Sequence, residues 1–118
     1  MKPEQFIREF GIERAKELIN DPLHPKMTHV SDDGRHWVNE HNKNLDENIR
    51  KQLPRLMRLD DLKRLVESVE IIQFWHGIEW CKGLVEDYKE EPIHKESYGH
   101  RIIQAIADYE TIYGGSHA

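Results

Sequence analysis

A chain of 118 residues with 17 Lys/Arg against 22 Asp/Glu carries a formal net charge of −5, with 37% hydrophobic and 33% charged residues. That length is typical of one domain, and the acidic balance argues against nonspecific duplex binding, which rests on neutralising phosphates. The single cysteine, Cys81, excludes an internal disulfide, no apolar run approaches a membrane span, and the opening MKPEQFIREF lacks a signal peptide's apolar core.

A cytoplasmic single domain over residues 1–118 is therefore expected, of α+β class and mainly α. The segment 1–20 reads as two short helices or one bent helix. Pro3 suits a first helical position, Phe6 and Phe10 lie one turn apart, and Gly11 interrupts before Ala15, Leu18 and Ile19. NDPLHP then stops the helix. Residues 27–39 read as a β-hairpin around Asp-Asp-Gly. A two-residue Asp33-Gly34 loop pairs Val30 with Trp37 and Ser31 with His36; a three-residue loop shifts the register by one, and both stay open. An isolated hairpin is marginal in water, so a helix or another strand must cover its Val30/Trp37 side.

LDENIRKQL reads either as a short helix capped by Asn44 or Asp46 and ended by Pro54, or as a long connection. Residues 60–113 form the helical bundle. Leu62, Leu65, Val66, Val69, Ile72 and Trp75 make one helical stripe, with Asp60 a natural cap and Gly77 a natural stop. Ile78, Cys81, Leu84, Val85 and Tyr88 repeat the pattern before Glu90-Glu91-Pro92. Ile102, Ala105, Ile106, Tyr109, Ile112 and Tyr113 mark the last helix, released by Gly114-Gly115. GIERAKELIND from Gly11 and GIEWCKGLVED from Gly77 share one phrase. Both fit a helix–glycine–helix corner, a common structural solution rather than a solenoid repeat, which needs three or more units.

Candidate chemistry is sparse. His29 and His36 would share a sheet face in the two-residue-loop register, with His41 and Glu40 following. They form an alternative metal or general-base site, set against ordinary exposed hairpin histidines. Zinc wants three or four regularly spaced ligands, and HWVNEH lacks the helical His-Glu-x-x-His spacing, so no metal and no cofactor is assigned. Cys81 sits on an apolar stripe between Ile78 and Leu84, as a small buried hydrophobe does. No nucleophile elbow, phosphate-binding glycine loop or dinucleotide fingerprint occurs, so no enzyme activity is expected. From Arg50 to Arg64 six cations, including Arg50, Lys51, Arg55 and Arg58, face two carboxylates, a local charge of +4. Such a stripe suits nucleic-acid phosphates, an acidic protein surface, or simple solvation. Trp75 and Trp80 bracket Gly77, while Tyr98, Tyr109 and Tyr113 mark the last helix; most are expected in the core, and any that stays exposed is a natural anchor for a protein partner or a second copy.

Three phrases carry a family likeness: PEQFIREFGIERAKELI, MTHV…DDG…HWV and LDDLKRLVESVEIIQFWHGIEWCKGLV. Together they resemble small accessory proteins from the early regions of lambda-like phages and prophages. In such proteins the third phrase often holds a Gly-Gly pair, where this chain has His76-Gly77. The resemblance implies a non-enzymatic protein that binds, and inhibits or redirects, a host protein of DNA metabolism or anti-phage defence. It supplies no functional residues. The alternatives are a nucleic-acid-binding accessory factor using residues 50–64 and, third, a metal-dependent enzyme using the hairpin histidines.

Overall fold

The computed structural model describes residues 1–88 and 98–114, with side chains except at 87, 88 and 98–100. Glu90-Glu91-Pro92, His94, Gly115 and His117 lie outside the described residues. The chain divides into two compact units, Met1–Arg64 and Leu65–Ala118. The class is the expected one: mainly helical, with a small antiparallel sheet.

In the first unit, α1 (Pro3–Phe10) and α2 (Ile12–Ile19) meet at Gly11, whose φ of 91° and ψ of 163° suit glycine alone. Its N–H closes α1 on the Ile7 carbonyl and its own carbonyl opens α2 towards Ala15. Phe6, Ile7, Ala15 and Leu18 are buried, whereas Phe10, one turn from Phe6, is 53% exposed.

The hairpin adopts the first of the two registers. β1 (His29–Val30) pairs antiparallel with β2 (Trp37–Val38), Val30 opposite Trp37. The turn itself runs Ser31–Gly34, closed by Gly34 N–H on the Ser31 carbonyl. With that carbonyl engaged, Ser31 Oγ accepts the His36 N–H instead. Gly34 is favoured by its φ of 73°, and a Cβ there would also crowd the tip of Arg14 and Leu18 of α2.

A third strand, β3 (Met57–Arg58), pairs with the other edge of β1 and gives the order β2-β1-β3. No pattern in the sequence marks a strand there. The chain reaches it through α3 (Glu47–Gln52), capped by Asp46 accepting from the Asn48 N–H, and a 3₁₀ turn Leu53–Arg55 carrying Pro54. Asp46 is thus the cap, Asn44 is not, and the connection is ordered. Val30 and Met57, paired across the sheet, are both buried.

α4 (Leu59–Phe74) follows β3 directly, so Asp60 stands in its first turn rather than capping it. The expected stripe is buried from Leu62 to Ile72. In the second unit α5 (Ile78–Tyr88) and α6 (Tyr98–Tyr109) continue into a π-helical turn, Glu110–Gly114. Ile72, Cys81, Ile102 and Ala105 form the core, with Trp75, Ile78, Leu84 and Tyr109 against it. Burial raises the Cys81 thiol pKa, consistent with a packing role. A polar network centred on the buried Ser68 and Asp108 joins α4 to α6. Ser68 Oγ donates to Asp108 Oδ2 at 2.6 Å, Gln104 donates to Oδ1, and Arg101 donates to Ser68. Among the described residues no helix is long and apolar enough to cross a membrane.

Candidate functional site

Two places gather the residues singled out by the sequence, one in each unit. In the first unit, β1–β3 pairing sets His29 opposite Arg58, and Glu40 lies two residues past Val38, the β2 partner of His29. Side chains alternate along a strand, so this is one sheet face. Glu40 accepts from Arg58 at 3.2 Å and 3.5 Å. His29 Nε2 approaches the same carboxylate at 3.9 Å and His41 Nε2 at 3.5 Å. The Arg58 hydrogen bond holds the Glu40 pKa below its ordinary value.

His29 is 3% exposed, and burial lowers its pKa, opposed by Glu40 and aided by Arg58. Its Nδ1 lies 2.8 Å from Thr28 Oγ1. A hollow of about 370 Å³ opens beside it, lined by His29, Glu40, Arg58, Asp61 and Leu56 among others. His36 is exposed and does not join the cluster; its N–H bonds Ser31. Among the described residues no three His, Cys, Asp or Glu side chains are arranged to hold a metal ion. Arg58 fills the place a cation would take on Glu40.

The basic stripe is broken up by carboxylates, those beside Arg55 and Arg58 coming from the hairpin and the residue Glu40 after it. Arg50 and Lys51 are exposed in the last turn of α3, where cations suit the helix dipole. Arg55 lines a shallow hollow with Asp32 and Asp33. Arg58 is paired with Glu40, and Arg64 lies 3.6 Å from Asp61. A local sequence charge of +4 therefore does not become an uninterrupted positive face.

The second place is the α4–α5 corner. α4 ends in a Schellman motif: Gly77 N–H bonds the Ile72 carbonyl at 2.8 Å and His76 N–H the Gln73 carbonyl at 3.3 Å. The left-handed position belongs to His76, φ 71°, not to the glycine the sequence offers as the stop; Gly77, φ 104°, follows it. A histidine there stores strain that glycine would not. The turn displays four aromatic rings in contact. Phe74 meets Trp75 edge-on at 5.2 Å, Trp75 stacks on Trp80 at 5.7 Å, and His76 meets Trp80 edge-on at 5.5 Å.

The two expected tryptophans thus divide the work. Trp75 packs against the core of its unit, while Trp80 remains 43% and Phe74 74% exposed. Phe74 and the ring of His76, which sequence pattern alone does not single out as part of a site, join the two tryptophans. A partial signal was available: Phe74 falls off the buried stripe that ends Ile72 and Trp75, and an apolar ring off the stripe must face outward. Set against known proteins, the chain matches no family model, no curated protein and no solved structure.

Proposed function

We propose that this chain is a non-enzymatic accessory protein that binds a host protein through the corner formed by Phe74, Trp75, His76 and Trp80. One observation carries the reading: Phe74 and Trp80 stand exposed on a turn whose left-handed residue is histidine. Large aromatics supply much of the binding energy at protein interfaces, and they do so with few rotatable bonds. Stacking on Trp75, which packs against the core, pre-organises Trp80, so little side-chain freedom remains to be lost on docking. The three phrases resembling early-region phage proteins support a bacterial host as the setting, with inhibition or redirection of the bound protein as the consequence. A nucleic-acid role through Arg50, Lys51, Arg55 and Arg58 draws less support, because Arg58 is paired and Arg55 adjoins two aspartates.

Affinity capture from bacterial lysate tests the reading, using the wild type, a Phe74→Ser/Trp80→Ala variant and an Arg50→Ser/Arg55→Ser variant. The same host protein should be retained by the wild type and by the arginine variant, and lost by the aromatic variant. Capture that survives the aromatic variant and fails with the arginine variant would overturn it.

A further inference from the structure

Resting on the corner as a protein-binding surface, we infer that its partner presents a basic segment, one of whose arginine or lysine side chains docks on Trp80 above Gly83. Charge is divided unequally along the chain. Residues 65–118 hold four Lys/Arg against ten Asp/Glu, whereas residues 1–64 hold thirteen against twelve. The whole net negative charge thus belongs to the unit that carries the corner. On α4, Glu67, Glu70 and Phe74 follow one another at helical spacing and are all exposed, with Glu67 3.8 Å from Arg101. On α5, Glu79, Gly83 and Glu86 share a face and are exposed as well. The Lys82 ammonium is drawn to Glu110 at 3.1 Å.

Gly83 is the informative residue. It lies inside α5 with no special backbone angle, and a Cβ built on it meets nothing within 4 Å. Neither turn geometry nor close packing explains a glycine there, and a helix interior disfavours it. A side chain at position 83 would lean towards the helix N-terminus, over the turn bearing Glu79 and Trp80. Without one, position 83 contributes nothing to covering the indole, which stays 43% exposed with Trp75 stacked on one face and His76 at its edge, and the exposed Glu79 and Glu86 lie one turn to either side of Gly83. An indole face rimmed by carboxylates is suited to a guanidinium or ammonium group, held by cation–π attraction and by the surrounding charge.

The test uses three eight-residue peptides, blocked at both ends, alternating leucine with arginine, glutamine or glutamate, titrated against the full chain while tryptophan fluorescence is followed. The arginine peptide should bind, with an affinity that falls as salt rises. Gly83→Gln should weaken it about tenfold, as expected for loss of a partly desolvated cation–π contact, while raising the melting temperature. Gly83→Ala, which adds only a methyl group, should raise the melting temperature and largely spare binding. Equal binding of the glutamine or glutamate peptide, still lost with Phe74→Ser/Trp80→Ala, would overturn the basic-segment inference and leave the corner as a docking surface. Binding of the arginine peptide that ignores Gly83→Gln would mark general electrostatic adsorption and overturn it too. So would failure of all three peptides, or self-association of the chain abolished by Gly83→Gln, which would make a second copy the occupant.

Discussion

Replacing His76 by glycine should stabilise the protein while weakening capture of its partner. His76 sits at φ 71° at the end of α4, and a side chain in that region costs about 1–2 kcal/mol. Glycine removes the penalty but gains freedom in the unfolded chain, which offsets about 0.4–1 kcal/mol. The edge contact to Trp80 at 5.5 Å is lost as well, a few tenths at an exposed site by a rough reading of aromatic pair energies. The net stabilisation is about 0.5 kcal/mol. His76→Ala isolates the backbone part, because it loses the same ring contact and keeps the left-handed penalty. Glycine should therefore exceed alanine by about 1 kcal/mol. Urea unfolding followed by fluorescence, with equal slopes for the two variants, measures this as a shift in midpoint. Alanine as stable as glycine would refute the strain argument. Glycine that captures the partner as well as the wild type would show that the His76 ring contributes nothing to recognition.

Acid should act on the first unit in two stages. The His29 pKa is lowered from 6.5 by burial, so the unfolded chain binds its proton first and stability falls as pH drops below about 6.5. Glu40, lowered from 4.5 by its bond from Arg58, contributes stability above that value that is lost as pH falls through its folded pKa. His29→Gln should abolish the first stage alone, read as urea midpoint against pH; an unchanged profile would contradict the assignment. Asp108→Ala should destabilise by about 2–4 kcal/mol, since it strips Ser68 and Gln104 of the buried acceptor they share. Ser68→Ala should cost about 1 kcal/mol, and equal effects from the two would contradict this account. Asp46→Ala should cost about 1 kcal/mol through loss of the α3 cap, seen as a lower midpoint.

The long periodic segments were legible because their stripes are unambiguous. Leu62 to Ile72 declares a buried face, and both copies of the Gly-Ile-Glu phrase are corners at a positive-φ glycine that opens a helix. The third strand was hidden because two residues, Met57 and Arg58, are too few to show alternation, and Pro54 just before them reads as a stop. The corner was half legible. Trp75 and Trp80 stood out by type, but their separation into core anchor and exposed ring depends on packing. Ser68 and Asp108 each interrupt an apolar stripe, the signal of a buried polar partner; pairing them required α4 and α6 to be brought together. Local charge misled for a related reason, since the carboxylates beside Arg55 and Arg58 come from the hairpin and the residues after it.

Photo-cross-linking inside bacterial cells tests the central claim most directly. A benzophenone side chain in place of the exposed Gln73, beside Phe74, is compared with the same group in place of Lys51. The account predicts a covalent adduct from position 73 to one host protein through a basic stretch of that protein, and none from position 51. An adduct formed from position 51 alone, to protein or nucleic acid, would contradict it.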